Sequence, residues 1–201
     1  LRANQLGECR YSVSGSPGDC VVMAVQHLMA DAPPALILSG INRGANLGIE
    51  TVFSGTVGAA MTGMLLGIPS IALSQAFSDR DAVRWETSRV LAPGVIERLV
   101  RVGWSSQACL NVNFPDVAAQ AAGPLTCTRQ GAGIVKNIHV LPRTDPRGLD
   151  YYWLQFNREP FQDAPASETR VVADGCISVT PLQFERTSEV AYAELTAALA
   201  Q

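Results

Sequence analysis

Two short segments of the chain carry residues whose types and spacing suit the handling of an anion beside a hard cation. In the first, residues 39–48, glycines at 40, 44 and 48 let the backbone come close to a ligand. Asn42 and Asn46 in the same stretch offer side-chain amide oxygens. An amide oxygen is a neutral, hard donor of the kind that Mg²⁺ or Mn²⁺ accepts. The plainer reading of both asparagines is that they supply left-handed turn conformations, and for an isolated Asn-Gly loop that reading is favoured. The second segment is Phe53-Ser54-Gly55-Thr56-Val57. Here Ser54 can cap a helix, and the free N–H groups of Gly55, Thr56 and Val57, with the Thr56 hydroxyl, form an anion site. Ordinary capping accounts for Ser54 alone and less readily for the whole Ser-Gly-Thr run.

Other chemistries find little support. There is no G-x-x-x-x-G-K-[ST] phosphate loop and no G-x-S-x-G elbow. The two histidines, His27 and His139, are far apart, whereas a dinuclear zinc hydrolase normally needs more. Asp19 reads as a carboxylate in the first turn of a helix. No G-x-G-x-x-G follows a strand, so a nicotinamide-dependent oxidoreductase rests on fold analogy alone. The formal net charge is −3 with no Lys/Arg run, which argues against binding a nucleic-acid polymer, because phosphate neutralisation needs clustered cations. Five scattered cysteines without a C-x-x-C pair suit buried thiols in a reducing compartment. No apolar run reaches the roughly 18 residues of a membrane span, and no secretion signal opens the sequence. A cytoplasmic protein with no membrane association is expected.

Taken in order, several motifs closely resemble the SurE family of 5′/3′-nucleotidases, known also as survival proteins or acid phosphatases. They are Ser14-Gly15-Ser16-Pro17-Gly18-Asp19-Cys20, Ser39-Gly40-Ile41-Asn42-Arg43-Gly44-Ala45-Asn46-Leu47-Gly48, and Ser54-Gly55-Thr56-Val57-Gly58-Ala59-Ala60. Further on come Gly67-Ile68-Pro69-Ser70, Asn111-Val112-Asn113-Phe114-Pro115, Thr128-Arg129-Gln130-Gly131, Tyr151-Tyr152-Trp153 and Gly175-Cys176-Ile177-Ser178-Val179-Thr180-Pro181-Leu182. The resemblance spans nearly the whole chain. It implies a phosphomonoesterase that hydrolyses nucleoside 5′- and 3′-monophosphates with one divalent cation, Mg²⁺ or Mn²⁺, per subunit. Carried over residue by residue, Asn42 is the metal ligand, Ser54, Gly55 and Thr56 contact the phosphate, and Asn46 lies nearby. No residue is assigned as the catalytic acid or base. The family also assembles as homodimers or homotetramers through its C-terminal portion. Ile49-Glu50 stand where the family often carries Asp-Asp, which leaves substrate preference open.

The resemblance also places the family's remaining metal ligands, an Asp-Asp-Gly pair and a serine, ahead of Leu1. At least a βαβ element, about 30 residues or more, is then expected to be absent, and the chain alone is expected to be inactive or nearly so. The alternative function is a non-catalytic nucleotide-binding or oligomerising module.

The elements that must position these residues follow from hydrophobic patterning. With 47% hydrophobic and 16% charged residues the chain can bury a core. A short strand is expected over residues 10–13, then a helix over 16–30 with Ser16 as N-cap and Pro17 at the first turn. The wholly apolar residues 35–38 suit a strand buried on both faces, with residues 39–48 as the loop leaving it. A helix over 55–66 is followed by a strand over 70–73. A helix over 81–102 is expected to kink or split at Pro93-Gly94, with a strand over 110–114 after it. This alternation predicts an α/β fold, a Rossmann-like three-layer sandwich with a mainly parallel sheet. Ligands in such sheets bind beyond the carboxyl ends of the strands. Strands over 126–129, 139–141, 151–156 and 175–180 and a last helix over 188–199 predict a β-rich C-terminal arm and terminal helix. The expected division is a core over residues 1–120 and an oligomerisation arm over 121–201.

Overall fold

The structure is a computed structural model and describes residues 1–158 and 164–200. The chain opens with an antiparallel hairpin of β1 (Ala3–Gly7) and β2 (Arg10–Val13). Helix α1 (Pro17–Met23) begins with a capping box in which the Ser16 hydroxyl accepts from the Asp19 N–H and the Asp19 carboxylate accepts from the Ser16 N–H. A π-helical turn, Ala24–Leu28, continues it and ends it ahead of Pro33. There follow β3 (Ile37–Arg43), α2 (Gly55–Leu65), β4 (Ser70–Gln75), α3 (Trp85–Val102) and β5 (Cys109–Phe114). The rest comprises β6 (Gly123–Cys127), β7 (Val135–Thr144), β8 (Asp150–Arg158), α4 (Glu168–Ala173), β9 (Cys176–Leu182) and α5 (Glu189–Leu199).

The main sheet has the order β3-β4-β5-β9-β6, with β3, β4 and β5 mutually parallel and β9 antiparallel to β5. Side chains alternate between its two faces. Ile71, Leu73, Leu110, Val112 and Phe114 pack with Ala92 and Val95 of α3, while Ala72, Cys109 and Leu182 pack with Val57, Ala60, Met61 and Met64 of α2. Helices therefore cover both faces of a mainly parallel sheet, which is the Rossmann-like three-layer arrangement. Every residue of β4 and β5 is buried.

Several details differ from the patterning. β3 does not stop at residue 38 but runs through Asn42 and Arg43, which pair with Ser74 and Gln75 after a register shift beyond Ser39. The glycine-rich stretch is thus half strand and half loop. Helix α3 passes through Pro93 unbroken and starts only at Trp85. Burial of Thr87, Ser88, Ala92 and Val95 along one side holds together a helix that the proline weakens locally. Of the five free cysteines only Cys109 is buried; Cys9 and Cys127 are exposed.

The expected division at residue 120 also differs from the sheet. β9 is hydrogen-bonded between β5 and β6, so residues on the far side of that boundary complete the core. What stands apart is the β7–β8 hairpin and α5. Val140, Tyr152, Trp153 and Leu154 are exposed on the first, and α5 buries no residue. Among the described residues no helix is long and apolar enough to cross a membrane.

Candidate functional site

The segment 42–56 joins the end of β3 to the start of α2. Because β4 runs parallel to β3, α2 must return along the sheet in the opposite sense. The last residues of β3 and the first of α2 therefore lie at the same edge of the sheet, the carboxyl edge, where such folds bind ligands. Asn42 and the Ser54-Gly55-Thr56 corner are brought to one end of the molecule.

Asn42 is half-buried near the end of β3, and its Nδ2 donates to the Gly44 carbonyl at 2.9 Å. That bond fixes the flip of the amide and leaves Oδ1 without a partner among the described residues. The nitrogen therefore supports the turn, as the plainer reading of this residue expects.

Asn46 is placed differently. It is buried, its N–H donates to Asn113 Oδ1 at 2.8 Å, and its carbonyl accepts from Asn111 Nδ2 at 2.8 Å. Its own Nδ2 donates to Ser74 Oγ at 2.7 Å. Three strand residues thus grip the loop at this point, and Asn46 sets its path beneath the surface. Asn111 and Asn113 point to the α2 face of an otherwise apolar β5. Their alternation with Leu110, Val112 and Phe114 was the sequence signal for a buried polar row.

A turn of 3₁₀ helix, Gly48–Phe53, leads into α2. Ser54 is the N-cap: its Oγ accepts from the Val57 N–H at 3.1 Å, and the Gly58 N–H closes the first helical bond to the Ser54 carbonyl at 2.9 Å. The Val57 N–H is therefore occupied, contrary to the expectation that three N–H groups stand free. Those of Gly55 and Thr56 are the ones the helix leaves pointing beyond its end. They sit at the positive pole of the α2 dipole. Gly55 is also needed for packing, since a Cβ there would lie 2.8 Å from Pro17 Cγ. Pro17 opens α1, so the capping box of α1 and the cap of α2 stand side by side. Hydrogen bonds from Ser16 hold the Asp19 carboxyl below its ordinary value. This agrees with Asp19 as a helix-capping group.

Between Asn46 and Ser54 the chain is held by Glu168, which the sequence did not single out, and by the Gln130-Gly131 pair, which it placed in a motif without a role. Glu168, fully buried at the start of α4, accepts from the Gly48 N–H through Oε1 and from the Gly131 N–H through Oε2, each at 2.7 Å. Gln130 Nε2 donates to the Gly48 carbonyl at 2.8 Å and to Thr51 Oγ1 at 2.9 Å. Gly48 has φ 53°, and a Cβ on it would lie 2.2 Å from the Gly133 nitrogen. Only glycine fits there, because the 131–133 segment passes so close. In sequence, Glu168 looks like any first-turn acid after a Ser N-cap, and nothing marks its side chain as turned inward. On the outer side, Phe53 meets Phe156 of β8 edge to face, with ring centroids 5.7 Å apart.

A single amide oxygen does not hold a hard divalent cation. Such ions take about six oxygen ligands, commonly including one or two carboxylates. Among the described residues no three His, Cys, Asp or Glu side chains form a group that could hold a metal ion. Asn42 Oδ1 could supply at most one oxygen of such a shell. At Gly55 and Thr56, by contrast, the start of α2 leaves main-chain N–H groups of the kind that suit an anion.

Comparison with known proteins matches this arrangement to one family throughout. A family model described as "Survival protein SurE" matches residues 1–137. Among curated relatives, "5′-nucleotidase SurE 1" of Burkholderia lata is 55% identical over 199 residues, covering 99% of this chain and 77% of that protein. The "5′-nucleotidase SurE" of Caulobacter vibrioides is 45% identical over 190 residues, covering 93% and 72% respectively. Among solved structures, the SurE protein from Aquifex aeolicus superposes with a TM-score of 0.80 at 30% identity, covering 100% of this chain and 80% of that one. The motifs at the carboxyl edge of the sheet, the sheet itself and relatives sharing about half their residues agree, and the chain belongs to the SurE family.

Proposed function

We propose that this protein is a nucleotidase that releases phosphate from nucleoside 5′- and 3′-monophosphates with the help of one divalent cation, Mg²⁺ or Mn²⁺, per subunit. The observation that carries this reading is the shared edge of the sheet: the Asn42 Oδ1 and the open N–H groups of Gly55 and Thr56 stand where strand β3 gives way to α2. The names of the relatives, each a 5′-nucleotidase, support the 5′-monophosphate part of this reading.

The chain's own residues do the binding. The N–H groups of Gly55 and Thr56 and the Thr56 hydroxyl hold phosphate oxygens at the positive end of α2. Ser54 Oγ accepts from Val57 and so can turn its own proton toward the anion. A preformed set of donors of this kind favours the charge that builds on phosphoryl oxygens in the transition state, because it needs no reorganisation. A bound divalent cation would add neutralisation of that charge, with Asn42 Oδ1 as one ligand.

The exposed aromatic face of the β7–β8 hairpin and the unburied helix α5 support a homodimer or homotetramer built through the C-terminal region. Five free cysteines fit the reducing cytoplasm as its setting.

The test is phosphate release from 5′-AMP and 3′-AMP, measured with Mg²⁺, with Mn²⁺ and with a chelator. Cation-dependent release from both isomers is the expected result, in place of the inactivity expected from the sequence, on the strength of a 55% identical relative named a 5′-nucleotidase that matches 99% of this chain. Nucleotide binding without any release would remove the hydrolytic reading and leave a binding module.

A further inference from the structure

We infer that Glu168 is a positioning residue for the phosphate corner, acting through the Gly48–Phe53 turn; the inference rests on the nucleotidase reading above. Glu168 has no solvent-exposed surface. Its two oxygens accept from main-chain N–H groups of two different loops, Gly48 and Gly131, at 2.7 Å each. Short bonds to an anionic acceptor are the strong kind. The Glu168 N–H donates to the Arg129 carbonyl at 3.1 Å, so the acid is itself anchored to the loop it grips.

The turn held in this way is the stretch between two fixed points. Upstream, Asn46 is tied to β4 and β5 through Ser74, Asn111 and Asn113. Downstream, the Ser54 N–H donates to the Thr51 carbonyl at 3.3 Å, and Thr51 Oγ1 donates to the Gly48 carbonyl at 2.8 Å. Gly48 therefore relays the clamp to Thr51, and Thr51 relays it to the N-cap of α2. A neutral side chain in place of Glu168 would leave one buried N–H without an acceptor. The 3₁₀ turn would gain freedom, and the N–H groups that face the phosphate would lose their fixed aim. Small misplacements of this kind are costly to binding and turnover.

Two variants of the full chain test this. Glu168→Gln keeps the side-chain length but sets an NH₂ group against one of the two donors. Glu168→Asp keeps both acceptors and the charge but shortens the reach; it carries the comparison if the glutamine variant does not fold. The first readout is amide hydrogen exchange, which needs no turnover. In Glu168→Gln, residues 48–57 are expected to exchange on the order of tenfold faster, with β4 and β5 unchanged. The second is steady-state kinetics with 5′-AMP and competition by inorganic phosphate. KM and the phosphate inhibition constant are expected to rise roughly tenfold, with Glu168→Asp between parent and Gln. Unchanged exchange over residues 48–57 overturns the clamp. Faster exchange with unchanged KM and phosphate inhibition, measured well below the melting temperature, overturns the positioning role and leaves a folding role only. An unsubstituted chain that releases no phosphate overturns the nucleotidase reading instead, and the exchange result then decides the clamp by itself.

Discussion

The side chain of Asn113, on β5, exchanges hydrogen bonds with the main chain of Asn46: its Oδ1 accepts from the Asn46 N–H at 2.8 Å, and its Nδ2 donates to the Asn46 carbonyl at 3.3 Å. A buried asparagine thus mimics a strand neighbour for a loop residue and fixes the loop to the sheet. Asn111 adds one donor to the same carbonyl, while its own Oδ1 is buried without a partner among the described residues.

This asymmetry orders two substitutions. Asn113→Leu leaves the buried Asn46 N–H without its acceptor and removes the weaker of two donors to the Asn46 carbonyl, and is expected to cost about 2–3 kcal/mol. Asn111→Leu removes one donor together with an unsatisfied acceptor, and its expected cost is smaller, about 1 kcal/mol. Urea unfolding of the two variants measures the difference. An equal or reversed ranking would contradict this account of the loop anchor.

At the Ser54-Gly55-Thr56 corner, capping and the proposed phosphate binding separate by residue. Ser54→Ala removes the acceptor for the Val57 N–H and is expected to cost about 1 kcal/mol of stability. Thr56→Val keeps shape and helix while removing a hydroxyl, so KM for 5′-AMP should rise with little change in melting temperature. A Thr56→Val protein with unchanged KM would show that the hydroxyl does not touch substrate.

Burial pushes the Cys109 thiol up to about 11. The folded chain therefore keeps this proton to higher pH than the unfolded chain, whose thiol ionises near the ordinary value. The sign follows: stability is unaffected below about pH 8.5 and declines as pH rises toward the folded value. Cys109→Ala should flatten the part of the alkaline decline that this thiol causes, as read from unfolding curves between pH 8 and 11. In the native protein at pH 8, a thiol reagent should label the exposed Cys9 and Cys127 well before Cys109.

Much of this architecture was legible in the residues. The largely apolar Ile71-Ala72-Leu73 suits a strand covered on both faces, and the alternation Leu110-Asn111-Val112-Asn113-Phe114 has the two-residue period of a strand. Ser16-Pro17 and Ser54 marked helix starts that the structure keeps, because N-cap chemistry is local. What was not legible depends on distant partners. The extension of β3 through Asn42 depends on pairing with Ser74 and Gln75, and the placement of β9 between β5 and β6 depends on a crossover that no local pattern encodes. Pro93 argued for a break in α3, yet packing of Ala92 and Val95 on the sheet outweighs the local penalty. Glu168 was invisible for the same reason: its importance lies in two N–H groups that are far away in sequence.

The central claim is that Asn42 and the start of α2 form one phosphate-handling site. Its most direct test compares divalent-cation-dependent release of phosphate from 5′-AMP by the unsubstituted protein and by Asn42→Ala, alongside their melting temperatures. The account predicts release that a chelator stops, and that the substitution lowers on the order of tenfold or more while the fold melts nearly where it did. Release of equal size in both proteins, or release indifferent to the chelator, would contradict it.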